Sequence, residues 1–177
     1  MQYRDLTPEE CRQARTLLES VGLDDQVHHF MHAMTEADFD EWERRAQTHR
    51  MIGCFDHERL VGFAQIAPNA EQSESSLFVT AGHRKQGIGT ALFQRACEVA
   101  RAQGAHFLTI LATRGDAQML DLAARNEGLS IYRHGKSMIL PGEDHANARW
   151  LAFDLDTMPA ETWFKRTLRQ VREHMTL

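Results

Sequence analysis

The sequence is poor in cysteine, proline and tyrosine, and it contains no long apolar run. Its 177 residues include 3 cysteines, 4 prolines and 2 tyrosines. Cys11, Cys54 and Cys97 are odd in number and widely separated, so we expect reduced core thiols and no disulfide framework. No apolar stretch approaches the ~20 residues of a membrane-spanning helix, and residues 1–5 are too polar to open a signal peptide. We therefore expect a cytoplasmic protein without a membrane partner.

The chain also lacks an excess of positive charge. Lysine and arginine number 20 against 25 aspartates and glutamates, and the formal net charge is -5. Without a basic field, no nucleic-acid partner is expected, and an acidic surface suits a cationic molecule better than an anionic one. Hydrophobic residues make up 42% of the chain, which suits one compact domain with a sizeable core.

The hydrophobic pattern predicts helices and strands in a definite order. A capping box at residues 7–10 opens the first helix, which ends at Gly22, and residues 35–38 form a second cap between two short helices of residues 25–47. Period-two and continuous apolar runs predict strands. The remaining predicted elements are strands over 2–6, 51–55, 59–66, 74–80, 106–111, 129–140 and 148–155, and helices over 91–102 and 117–127.

The most informative segment joins the strand of residues 74–80 to the helix that follows. It reads Arg84, Lys85, Gln86, Gly87, Ile88, Gly89, Thr90. Two glycines at the start of a helix let a ligand approach the backbone, and the first N–H groups of the helix have no partner inside it. These features predict an anion-binding site. The glycine patterns of a Rossmann fingerprint and of a Walker loop are both missing.

The pattern Arg-x-x-Gly-x-Gly after a strand resembles the pyrophosphate-binding signature of the GNAT N-acetyltransferases. The resemblance covers roughly residues 3–155, although only residues 74–129 carry specific motifs. It implies an α/β fold with a mixed central sheet flanked by helices. It also implies acetyl-CoA as co-substrate and no metal. We expect residues 1–156 to form this domain, with residues 157–177 as an added C-terminal helix.

The same resemblance assigns the residues that bind acetyl-CoA. Arg84 and the N–H groups of Lys85, Gln86, Gly87, Ile88, Gly89 and Thr90 would meet the pyrophosphate. The backbone of Phe78 and Val79 would pair with the pantetheine amides. Asp116 stands where the related lysine acetyltransferases have asparagine, and an aspartate cannot donate a side-chain hydrogen bond at neutral pH.

Glu74 is the candidate general base. It lies ten residues before Arg84, at the position where bacterial protein lysine acetyltransferases, which the chain resembles here, carry a glutamate. A lysine amine has a pKa near 10.4, so a proton must be removed before the nitrogen can attack a thioester at neutral pH. Glu71, three residues earlier, is the second candidate.

The helix of residues 117–127 lacks the tyrosine that many GNAT enzymes use as general acid. Ala124 occupies that position, and residues 119–123 read Met-Leu-Asp-Leu-Ala, which resembles the pattern of the protein lysine acetyltransferases. The proton donor is therefore unassigned. Tyr132 is a candidate, although a packed strand aromatic is the simpler interpretation.

The histidines of residues 28–32 and the predicted C-terminal helix can each be interpreted in more than one way. His28, His29 and His32 lie in a predicted helix, where His28 and His32 share a face, but no partner motif supports a metal site and solvated histidines are expected. The added helix places Phe164, Leu168, Val171 and Met175 on one face, which must be buried against the same domain or across a homodimer contact.

The sequence thus predicts an acetyltransferase that transfers the acetyl group of acetyl-CoA to a primary amine. A protein lysine is the first acceptor hypothesis and a small-molecule amine the second. A non-catalytic acyl-CoA-binding module is the alternative of a different class, because the tyrosine is missing and Asp116 departs from the pattern. Glu74 on the expected strand counts against that module.

Overall fold

A seven-stranded mixed sheet with helices on both faces organises the chain. The computed structural model describes residues 1–69, 71–113, 116–131, 137–141 and 148–156. The sheet and its flanking helices confirm the predicted fold class. The predicted helix of residues 157–177, and with it the expected packing or homodimer contact, lies outside the described residues.

The described helices and strands follow the predicted order. The helices are α1 (Pro8–Glu19), α2 (Leu23–Phe30), α3 (Glu36–Ala46), α4 (Ile88–Ala102) and α5 (Ala117–Arg125). The strands are β1 (Gln2–Asp5), β2 (Arg50–Asp56), β3 (Arg59–Ala67), β4 (Gln72–Val79), β5 (Phe107–Thr113), β6 (Leu129–Ile131) and β7 (Ala148–Asp154). One turn of 3₁₀ helix, Ala81–His83, leads from β4 toward α4.

Local side-chain chemistry explains where α1 and α3 begin. Thr7 accepts a hydrogen bond from the N–H of Glu10, whose carboxylate accepts the N–H of Thr7 at 2.9 Å. Thr35 and Asp38 form the same reciprocal pair before α3. Each box satisfies two backbone donors that the helix leaves open, and both predicted caps are confirmed.

The sheet has the strand order β1-β2-β3-β4-β5-β7-β6. Neighbouring strands in this order are antiparallel except β4 and β5, which are parallel. β5 is buried along almost its whole length, as its continuous apolar run predicts. β4 and β5 therefore lie at the centre of the sheet, where parallel strands are covered on both faces.

Two apolar layers cover the two faces of the sheet. On one face α4 and α5 pack through Leu92, Ala96 and Leu122. On the other face α1, α2 and α3 pack through Leu18, Phe30 and Trp42, which are fully buried. We call this second side the α1–α3 face. It also receives Ile139 and Leu140 from the segment before β7.

The structure corrects the predicted strand of residues 129–140. β6 ends at Ile131, residues 132–136 are outside the described part, and residues 137–140 form a bend instead of a strand. The Ser137 hydroxyl accepts the N–H groups of Ile139 and Leu140 at 3.1 and 2.8 Å, and these short-range bonds fold the backbone back. The expected pairing of residues 129–131 with β7 is confirmed.

Cys11, Cys54 and Cys97 are buried free thiols, as expected. α2 ends at Phe30 and the next residue has φ of 69°, so His32 lies beyond the helix and cannot share a helical face with His28. Within the described residues, no helix is long and apolar enough to cross a membrane.

Candidate functional site

The loop between β4 and α4 is exposed at residues 85–87, immediately before α4 begins. Lys85 and Gly87 have φ of 60° and 80°, so the backbone turns left-handed twice before α4 begins. Gly87 is the N-cap residue, and it has no side chain that could accept a hydrogen bond from the first turn of α4. The first N–H groups of a helix lack intrahelical partners and carry the positive end of its dipole. The geometry fits the predicted anion site.

Open space lies beside this loop. A Cβ atom built at Gly87 or Gly89 would meet no other atom within 4 Å, so the glycines leave room for a group outside the protein. Lys85, Gln86 and Thr90 are exposed around that space. Ile88 is different, because its side chain is 2% exposed and belongs to the core. Only its backbone can contribute to the site.

The Arg84 side chain lies against the protein. Its Nε donates to the carbonyl oxygen of Val79 at 3.0 Å, and its Nη2 lies 2.9 Å from Oδ1 of Asp25, in the first turn of α2. Both charged side chains are a little over a quarter exposed. The guanidinium therefore connects the end of β4, the glycine loop and α2, a connection that the sequence did not indicate.

β4 and β5 separate next to this loop. Their pairing stops at Ser75 and Ile110, although β4 continues to Val79 and β5 to Thr113. Thr80 donates its N–H to β3, and hydrogen-bonded pairs alternate along an antiparallel ladder. We infer that Leu77 and Val79 turn their backbone groups toward the gap. Phe78, the other predicted residue, turns its backbone groups toward β3.

Glu74 lies one residue before the point where the strands separate. It is 2% exposed, and its neighbours in the sheet are Ala67 and Thr109. The Ser137 hydroxyl donates to Oε1, and the backbone N–H of Met138 donates to Oε2 at 2.8 Å. The carboxylate is thus held on the α1–α3 face by the bend of residues 137–140.

Glu71 occupies a different position. It is exposed and precedes β4, and its carbonyl oxygen accepts the N–H groups of His106 and Phe107 at the start of β5. Three strand residues span ~10 Å, so Glu71 lies farther than Glu74 from the separation of the strands. Of the two candidate bases, Glu74 is the one next to the opening.

His29 packs against β4 near the candidate base, a position that the sequence did not predict. Its Nε2 lies 3.1 Å from the hydroxyl oxygen of Ser76, two residues after Glu74 on β4. Its ring packs edge-on against Phe30 and Phe78, with centroids 4.6 and 5.3 Å away. Three histidines in five residues gave no means of selecting this one, because the choice depends on how α2 lies on the sheet.

A second histidine, His49, contacts Gln65 on the same face of the sheet. Nδ1 of His49 lies 2.9 Å from Nε2 of Gln65, which is fully buried and directly opposite Ser76 in the ladder. Burial, together with the nearby charge of Arg45, lowers the pKa of His49 to about 4. His49 is therefore neutral near pH 7, and its Nδ1 accepts the hydrogen bond of the amide.

Two of the remaining candidate positions lie at or within α5. Asp116 is the N-cap of α5, where its carboxylate accepts the N–H of Met119 at 2.9 Å. Ala124 is exposed on α5. Tyr132 lies outside the described residues. Among the residues that the structure describes, no group of three or more histidine, cysteine or acidic side chains could hold a metal ion.

Comparisons with known proteins identify the family and the fold. The sequence model of the acetyltransferase (GNAT) family matches residues 14–126. None of the curated protein sequences compared with the chain matches it significantly.

Similar solved structures include the GNAT domain of PAT from S. lividans, which is 13% identical with a TM-score of 0.67 over 86% of this chain and 89% of that one. The protein yncA from Salmonella typhimurium, solved with its cofactor acetyl-CoA, is 14% identical with a TM-score of 0.65 over 90% and 96%. The ribosomal-protein-S18-alanine N-acetyltransferase from Escherichia coli is 12% identical with a TM-score of 0.65 over 90% and 96%. At these identities the likeness concerns the fold.

Proposed function

Since the chain belongs to the GNAT acetyltransferase family, and is therefore an acyltransferase that uses acetyl-CoA, we propose that it acetylates a lysine side chain of a protein. In this proposal Glu74 is the general base. The observation that carries it is the position of one buried carboxylate, Glu74, beside the gap between β4 and β5.

The donor site is proposed from the residues around the gap and the loop. The N–H groups at the start of α4 would hold the pyrophosphate, since anions bind favourably at a helix N-terminus. The backbone of Leu77 and Val79 would hold the pantetheine amides. Arg84 would act by fixing the loop through the Val79 carbonyl and Asp25. Acetyl-CoA supplies the activated thioester.

Glu74 would supply the proton transfer. A lysine amine with a pKa near 10.4 is almost wholly protonated at pH 7, and only the neutral nitrogen is nucleophilic. Transfer of the amine proton to Glu74, directly or through one water, frees the lone pair. The new C–N bond then forms, the C–S bond breaks, CoA leaves as a thiolate, and the nitrogen loses its second proton as the amide forms. The group that passes a proton to the thiolate is unassigned.

Two features favour a cationic acceptor. The net charge of the chain is -5, and Asp24 lies in the first turn of α2. Residues 119–123 read Met-Leu-Asp-Leu-Ala, with alanine at residue 124, which resembles the protein lysine acetyltransferases. A small-molecule amine satisfies the charge argument equally well and is the alternative acceptor.

The test is a screen for acetyl transfer, read by mass spectrometry. The protein is incubated with acetyl-CoA and, separately, with lysine peptides blocked at the N-terminus, polyamines, amino sugars and a whole lysate. We expect acetyl groups on lysine side chains, and a strong decrease with Glu74→Gln. Acetylation confined to polyamines or amino sugars would contradict the protein acceptor, and full activity of Glu74→Gln would contradict the base.

A further inference from the structure

The segment of residues 137–141 is fixed on the α1–α3 face directly over Glu74. Ile139 and Leu140 are 0% and 2% exposed, so the segment is anchored by buried apolar side chains. Nη1 of Arg45, on α3, donates to the carbonyl oxygens of Ser137 and Leu140 at 3.1 and 3.0 Å. The bend thus has contacts to a helix and to the core that do not involve Glu74.

The Ser137 hydroxyl is one of two groups through which this segment contacts the carboxylate, the other being the Met138 N–H. A serine hydroxyl has one donor hydrogen and two acceptor lone pairs. The hydrogen is donated to Oε1 of Glu74, and the oxygen accepts the N–H groups of Ile139 and Leu140 at 3.1 and 2.8 Å. All three positions are in use. Ser137 therefore cannot at the same time accept a proton from an amine, so a proton relay through it is excluded in this arrangement.

The same contacts determine the orientation of the carboxylate. The terminal torsion of a glutamate is broad and roughly two-fold, so burial alone does not fix the plane of its two oxygens. Here the Ser137 hydroxyl holds Oε1 and the Met138 N–H holds Oε2 at 2.8 Å. These two donors, one on each oxygen, restrain the plane of the carboxylate.

We propose that Ser137 is a positioning residue for acetyl transfer, which orients Glu74 by a hydrogen bond and takes no proton itself. This inference rests on the proposed role of Glu74 as general base. A positioned base makes proton transfer faster because the proton acceptor already has the reacting geometry. Removing the hydroxyl should therefore lower kcat and leave the binding of acetyl-CoA unchanged.

The test is a double-mutant cycle. The full chain, Ser137→Ala, Glu74→Gln and the double variant are compared by the release of CoA with an amine that the parent acetylates. We expect Ser137→Ala to lower kcat about tenfold, which corresponds to about 1.4 kcal/mol, with the KM for acetyl-CoA within twofold of the parent. In the Glu74→Gln background the same change should lower kcat less than twofold, because the base is already absent.

Controls separate positioning from a purely structural role. Ser130→Ala removes an exposed hydroxyl on β6 and should leave kcat unchanged. If Ser137→Ala does not fold, as judged by its melting curve, Ser137→Cys keeps a weaker donor of similar size and should give a smaller loss of kcat.

Three outcomes decide between the proposals. An equal loss of kcat in both backgrounds would mean that Ser137 acts independently of Glu74, and an unchanged kcat in Ser137→Ala would mean that it does not position the base. Either result overturns the inference and leaves the proposed function intact. Full activity of Glu74→Gln would instead remove the proposed base, and the inference with it.

Discussion

The guanidinium of Arg84 and the carboxylate of Asp25 form an ion pair, with Nη2 and Oδ1 2.9 Å apart. The pair joins the glycine loop to the first turn of α2, 59 residues earlier in the chain. Arg84 also donates to the carbonyl oxygen of Val79 at 3.0 Å, so the loop keeps one anchor when Asp25 is changed. Asp25 thus neutralises a positive charge beside the proposed pyrophosphate site.

Asp25→Asn should strengthen acetyl-CoA binding about two- to fivefold at low salt. The change removes a negative charge and leaves Arg84 held by Val79, and the gain should disappear near 0.5 M salt, where exposed charges are screened. Calorimetry at two salt concentrations measures both effects, and Asp24→Asn, in the same turn, is the control with a smaller expected effect. Weaker binding by Asp25→Asn would mean that the ion pair is needed to hold the loop.

Gly89→Glu should weaken acetyl-CoA binding by about a hundredfold or more without unfolding the protein. A side chain at Gly89 meets no other atom within 4 Å, and an acidic residue in the first turn of a helix is favourable. The added carboxylate would repel the pyrophosphate. Gln94→Glu puts the same charge on the exposed part of α4 and should bind normally. Equal affinities for the two variants would rule out the loop as the anion site.

Glu74→Gln should lower kcat about a hundredfold near neutral pH, with little effect on acetyl-CoA affinity, because an amide cannot accept the amine proton. The defect should shrink at high pH, where more of the amine is already neutral. Glu71→Gln is the matched control and should retain most of the activity, since Glu71 is exposed and farther from the gap. A larger loss in Glu71→Gln than in Glu74→Gln would reverse the assignment.

His49 should make the folded protein sensitive to mild acid. Its pKa is about 4 when folded and about 6.5 when unfolded, so between these values the unfolded chain binds more protons. The free energy of unfolding therefore rises as pH increases from 4 to 6.5. The same amount of stability is lost as pH falls through that window. We expect protonation of His49 to lower the free energy of unfolding by about 1–3 kcal/mol, after allowance for its partial exposure.

Urea unfolding at pH 4.5 and pH 7 measures this difference. His49→Gln keeps an acceptor for Gln65 and should show a smaller decrease in stability at pH 4.5 than the parent. His57→Gln removes a histidine that is 97% exposed and should behave as the parent does. If His49→Gln lost as much stability in acid as the parent, burial of His49 would not be the cause.

Much of the fold could be predicted because its signals are local. The boxes at Thr7 and Thr35 start α1 and α3 as predicted, since capping depends on residues three positions apart. The glycine pattern that predicts the loop before α4 is an equally local signal. Its helix begins at Ile88, three residues earlier than predicted, because the glycines that suggested a loop are themselves the N-cap and the first turn.

The parts of the site that could not be predicted depend on contacts between distant segments. The residues Met138, Ile139 and Leu140 look like a strand, but hydrogen bonds to the Ser137 hydroxyl fold them into a bend over Glu74. The position of His29 against Ser76 requires the packing of α2 on β4. Periodicity describes which side of an element is apolar, and it carries no information about which distant polar group that side meets.

The separation of β4 from β5 places two unpaired strand edges in the middle of the sheet. Exposed edges are sites at which strands of other molecules can pair, and proteins usually cover or charge them. Here the edges beyond Ser75 and Ile110 are where the pantetheine arm is proposed to bind. The protein without acetyl-CoA should therefore be the more aggregation-prone form. Its solubility during storage should depend on whether acetyl-CoA is bound as well as on its sequence.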